Sequence, residues 1–127
     1  MRLVYLIETQ IMNYVLLAYR DEERWRSMSD GERTAFEEAC QASEQDLTCS
    51  LHLIVVRDLQ TYGALTLRMM DGRLSLTAGP TAGSQGQLIQ LLFIQARDLN
   101  TAIQIASKLP PAQAGAIEVR PFVEGKR

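Results

Sequence analysis

Three short runs, Tyr14–Tyr19, Leu51–Val56 and Leu88–Ile94, are apolar at nearly every position. Their length suits strands better than helices. Side chains alternate between the two faces of a strand, so each run places apolar groups on both faces of a sheet. This chain must therefore bury a sheet from two sides. Two helices can cover only one side, and the simplest cover for the other is a second copy of the chain. A homodimer packed sheet against sheet is the expectation.

The elements between these runs follow from local signals. Ser29-Asp30-Gly31-Glu32 is a capping box, in which serine and glutamate side chains reciprocally satisfy backbone N–H groups at a helix start. The helix it opens carries Phe36, Ala39, Cys40, Ser43 and Leu47 along one stripe. Leu65–Met69 and Leu74–Thr77 alternate with period two around Asp71-Gly72, a dipeptide suited to a tight hairpin turn. Ala78–Gln87 reads as a loop. Asp98 is placed to cap a second helix with the stripe Leu99, Ala102, Ile103, Ala106 and Leu109, which Pro110-Pro111 should stop. Ala116–Phe122 closes the chain as a strand with Ile117 and Val119 on one face. The order predicts an α+β fold, a ferredoxin-like βαββαβ unit with an added hairpin. Asp21–Arg24 reads as a solvated loop anchored by Trp25.

At 127 residues there is room for one domain, and 46% hydrophobic residues suffice for a core. Thirteen basic against fifteen acidic residues give a net charge of -2, so no bulk attraction to nucleic acid is expected. Cys40, Cys49 and His52 are too few for a zinc site, and neither metal nor cofactor is expected. The cysteines read as reduced thiols, which suits a cytoplasmic protein. Glu8 interrupts the apolar run Leu3–Ile7 before an export signal is complete. Leu74–Ala96 is uncharged, but its glycines, proline and glutamines exclude a membrane span.

The second half resembles the YCII-related domain family, in the branch named for an Asp-Gly-Pro-Phe motif. The residues that carry the resemblance are Thr66-Leu67-Arg68, Asp71-Gly72-Arg73-Leu74, Thr77-Ala78-Gly79-Pro80, Gln87-Leu88, Ala96-Arg97-Asp98-Leu99, Ala102-Ile103, Leu109-Pro110 and Ile117–Pro121. The likeness runs almost ungapped over roughly Tyr14–Val123. It implies a dimeric ferredoxin-like α/β barrel, bacterial and cytoplasmic, with a cleft near the motif loop. It also places the domain at residues 12–127. Residues 1–11 are then either a misassigned start, the preferred reading, or a genuine extra strand.

The resemblance implies a motif loop reading Thr-Asp-Gly-Pro-Phe-Ala-Glu-Thr-Lys-Glu-Gln-Leu, rich in ionisable groups. Here Thr77–Leu88 puts Ala78 at the aspartate, Thr81 at the phenylalanine, Gly83 and Gly86 at the glutamates and Gln85 at the lysine. General acid or base catalysis needs a titratable proton carrier, and this loop has none. Glycines 79–86 lack the lysine and the helix of a P-loop. His52, within the second strand, reads as a histidine satisfied by one hydrogen bond, or alternatively as a pocket ligand or proton shuttle. Arg68 and Arg120 are each expected either to hold a small organic anion or to pair with Asp71 and Glu118 respectively. The candidate pocket is thus His52, Arg68, Thr77, Gly79, Pro80 and Arg120, with no catalytic residue assigned. The preferred function is a non-catalytic, homodimeric binding or accessory module. The alternatives are a lyase or isomerase using His52, and a regulatory partner of the transcription apparatus.

Overall fold

The computed structural model describes residues 12–81 and 86–123. The 1–11 extension, with its Leu3–Ile7 run, and loop residues 82–85 lie outside the described residues. In chain order the elements are β1 (Met12–Arg20), α1 (Glu22–Ser27), α2 (Asp30–Cys49), β2 (Leu53–Asp58), β3 (Leu65–Met70), β4 (Arg73–Ala78), β5 (Gln87–Ala96), α3 (Leu99–Ser107), α4 (Pro110–Ala114) and β6 (Gly115–Phe122). Four strands form an antiparallel sheet in the order β2-β5-β1-β6, and β3 and β4 form a separate two-stranded ribbon. This mixed α+β architecture is compatible with a ferredoxin-like fold.

The alternation along β1 and β5 sets the core. Tyr14, Leu16 and Ala18 are buried, as are Leu92, Ile94 and Ala96, and the register sets Tyr14 opposite Ile94 and Leu16 opposite Leu92. Ala102, Ile105, Ala106 and Leu109 close over them, with Leu47 from α2. The opposite face carries Val15 beside Phe93 and Leu17 beside Leu91, with Phe122 edge-on to Phe93 at 5.7 Å. These apolar groups are half-buried by their own neighbours.

The helix caps follow the sequence. Ser29 accepts from the Glu32 N–H at 3.1 Å while Glu32 accepts from the Ser29 N–H at 2.9 Å. Asp98 likewise accepts from the Thr101 N–H at 2.9 Å. These hydrogen bonds hold the Glu32 and Asp98 carboxyls below their ordinary range. At the ribbon turn, Asp71 and Gly72 both have positive φ, 52° and 77°, as a primed turn demands. Gly115 faces Arg20 across the β1–β6 pair, where a Cβ would fall on the Tyr19 carbonyl, so no larger residue fits that approach.

Four expectations are corrected. Asp21–Arg24 is no loop: Asp21 caps α1 by accepting from the Glu23 and Arg24 N–H groups. Trp25 does anchor it, edge-on to Phe36 and under the Arg20 guanidinium at 4.4 Å. Pro110-Pro111 does not merely end a helix; α3 stops at Ser107 and the prolines begin α4, where a missing N–H is tolerated. On α2, Ala39 is exposed and Leu47 alone is fully buried. On α3, Ile103 and Leu99 are exposed and Ile105 takes the buried position, a shift of phase that puts 102, 105, 106 and 109 on one side.

Candidate functional site

The ribbon presents two unlike faces. Leu65, Leu67, Met69, Leu74 and Leu76 share one, each more than half exposed. Thr66, Arg68, Ser75 and Thr77 share the other, with Thr66 opposite Thr77 and Arg68 opposite Ser75. At its base the Thr66 hydroxyl donates to the Gly79 carbonyl at 2.8 Å, and the Gly79 N–H donates to the Ala64 carbonyl at 2.7 Å. Gly79 takes φ 108°, and Pro80 follows it into solvent. The Gly-Pro turn is thus held by backbone-directed bonds alone.

Arg68 forms no ion pair with Asp71 or with any other described residue, because its register partner is the uncharged Ser75. Arg120 does pair with Glu118, at 3.4 Å, along its own strand and in the open. That pair lies on the sheet face away from the helices, since Val15 stands opposite Arg120 and Leu17 opposite Glu118. Tyr19 also reaches Glu118, at 3.5 Å, and its hydroxyl is pushed above the ordinary value by burial first and then by that carboxylate.

His52 is not in a strand. It occupies the turn between α2 and β2, because α2 ends in a Schellman motif: the His52 N–H donates to the Leu47 carbonyl at 2.9 Å and the Leu51 N–H to the Thr48 carbonyl at 3.1 Å. Leu51 holds the left-handed position, φ 64°, that glycine usually fills. Gln95 of β5 then grips the turn at three points. Its N–H donates to the His52 carbonyl at 2.8 Å, its side-chain amide donates to the Leu51 carbonyl at 2.9 Å, and its carbonyl accepts from His52 Nδ1 at 3.0 Å. A carbonyl can only accept, so Nδ1 carries hydrogen and Nε2 is the free nitrogen. The ring borders a groove of about 480 Å³ between α2 and α3.

A second cleft, of about 300 Å³, lies beside Trp25 and Cys40. Gln90, buried on the helix side of β5, donates from its amide nitrogen to Asp58 at 2.9 Å and to Glu44 at 3.1 Å. Burial, then Glu44, Asp58 and Glu37, push the Cys40 thiol from 9.0 to about 11. The shift favours the protonated thiol at neutral pH, and the thiolate is the nucleophilic form. Both cysteines are free thiols.

The candidate residues thus fall in three places: Arg68, Thr77, Gly79 and Pro80 on the ribbon, Arg120 on the open sheet face, and His52 at the helix layer. The structure brings the ribbon group together and does not join it to Arg120 or His52. Sequence reasoning missed Gln95, whose three bonds depend on a pairing between distant strands. It also missed the Schellman turn, because the expected glycine is absent.

The family model of the YCII-related domain matches residues 12–126. The chain belongs to the YCII-related domain family. No curated protein matches it. Within this YCII-related domain the match covers both the sheet and the ribbon. Among the described residues no group of three or more His, Cys, Asp or Glu side chains is placed to hold a metal ion, and no helix is long and apolar enough to cross a membrane.

Proposed function

We propose that this YCII-related domain is a homodimeric, non-catalytic module that binds a small organic anion or serves as an accessory unit. It is a member of the Asp-Gly-Pro-Phe branch in which the motif has degenerated. The observation that carries this reading is the segment Thr77–Leu88, which keeps Gly79-Pro80 but has no titratable side chain. A turn that shapes a surface persists there without a group able to move a proton. Arg68, with no ion-pair partner among the described residues, is the ribbon's cation for such a ligand, and Arg120 is the sheet's. Dimerisation is supported by the apolar open face at Val15, Leu17, Leu91 and Phe93, and two free thiols suit a reducing cytoplasm.

The test is a thermal-shift screen of small organic acids on the native chain, Arg68→Ala and Arg120→Ala. An acid that stabilises the native chain and not one of the variants supports the reading. Turnover that requires residues 78–87 and survives His52→Ala overturns it.

A further inference from the structure

The groove beside His52 combines features that a simple seam between helices does not need. Its floor is Leu47, Ile105 and Leu109, all buried, and its rim carries Asp46 from α2 and Lys108 after α3. No ion pair joins Asp46 to Lys108, so the rim holds one anionic and one cationic group, both in reach of solvent. At about 480 Å³ the groove falls in the size range of small-molecule sites.

Two choices at this place work against the stability of α2. Asp46 sits in the last turn, where a carboxylate opposes the negative end of the helix dipole. Leu51 sits in a left-handed conformation that an exposed leucine has no packing reason to occupy. Both flank a histidine whose ring is oriented by one hydrogen bond, Nδ1 to the Gln95 carbonyl, in a turn whose backbone Gln95 holds at two further points. Local departures from the preferred residue that gather at one oriented polar group are a mark of a functional site.

We propose that the α2–α3 groove binds a free α-amino acid with an apolar side chain. The ammonium group meets Asp46, the carboxylate meets Lys108, the side chain lies on Leu47, Ile105 and Leu109, and His52 Nε2 completes the polar contacts. The balance of charges selects this class. A simple anion gains from Lys108 but is repelled by Asp46, and a simple cation meets the converse; a zwitterion satisfies both. The proposal goes beyond the anion reading given for the ribbon and stands whether or not the ribbon holds a ligand.

The experiment is calorimetric titration with amide NMR on the full chain, using L-leucine, isocaproate, which lacks the ammonium, and isoamylamine, which lacks the carboxylate. Leucine should bind, shift the amides of Asp46, His52 and Lys108, and exceed both analogues by about tenfold or more in affinity. Asp46→Asn and Lys108→Met should each weaken leucine by about the same factor, whereas Arg68→Ala and Arg120→Ala should leave it unchanged. Equal affinity for leucine and isocaproate overturns the proposal in favour of an anion site, and unmoved groove amides at millimolar leucine overturn it outright. Sensitivity to Arg68→Ala with insensitivity to Lys108→Met also overturns it, by placing the ligand on the ribbon. The analogue comparison uses the native protein, so it decides the matter even if a variant fails to fold.

Discussion

Leu51 is the residue at which sequence and backbone disagree most. An L-residue in the left-handed region costs about 1–2 kcal/mol, while glycine's added freedom in the unfolded chain costs about 0.5–1 kcal/mol. Its side chain is 75% exposed, so little packing is lost on truncation. Leu51→Gly is expected to raise unfolding stability by about 0.5–1 kcal/mol, read from the urea midpoint at unchanged slope. A loss of stability would show that Leu51 makes a contact the turn depends on. Cys40 gives a second expectation at this scale. Its folded-state value lies above that of the unfolded thiol, so the stability it contributes is full below about pH 9 and declines as pH rises through about 11. At neutral pH, iodoacetamide should label exposed Cys49 well before Cys40, as mass spectrometry of the digested chain will show.

Among elements, α2 shows how a helix can be specified by its ends more than by its packing. Only Leu47 among its twenty residues is buried, so the capping box at Ser29 is the helix's clearest specific anchor at its N-terminus. Ser29→Ala is expected to cost about 1 kcal/mol in chemical denaturation, with the loss largest in helical circular dichroism. The legible parts of the fold were those with a local cause: the Ser29 and Asp98 caps, the Asp71-Gly72 turn, the alternation of β3 and β4, and the apolar strands. What was not legible depended on partners distant in sequence. Nothing near residue 52 announces that Gln95 will hold His52 outside the strand. Ser75 opposite Arg68, by contrast, is a local consequence of the two-residue Asp71-Gly72 turn, which the Arg68–Asp71 pairing did not take into account. Charged stretches misled for a related reason, since Asp21 caps a helix held down by contacts from residues outside it: Trp25 against Phe36 and Arg20, Arg33 to the Trp25 carbonyl, and Arg24 to the Gln113 carbonyl. The candidate residues, expected in one pocket, instead lie in three places: on the ribbon, on the open sheet face and at the helix layer.

For the whole molecule, the issue is apolar surface that nothing among the described residues of one chain covers. A two-stranded ribbon is marginal in water unless it packs against something, and this one has only sparse contacts with the rest of the described chain. Its apolar face and the open sheet face together give a second copy a surface to cover. Wild-type protein at micromolar concentration is expected to sediment as a dimer, and Leu67→Lys combined with Leu76→Lys should shift it toward monomer without loss of the four-stranded sheet. A native chain that sediments only at 14.2 kDa would refute dimerisation. A dimer indifferent to the paired lysines would confine the interface to the sheet.

The strand order also governs the timing of folding. Central β1 is made first, yet both of its neighbours, β5 and β6, come from the last third of the chain. Among the described strands none pairs with β1 until β5 has emerged, while the β3–β4 ribbon can close early around its two-residue turn. The earliest segment of the domain to appear is thus among the last to be secured, and a ribosome-bound chain halted before Gln87 exposes a strand for which chaperones and other nascent chains compete.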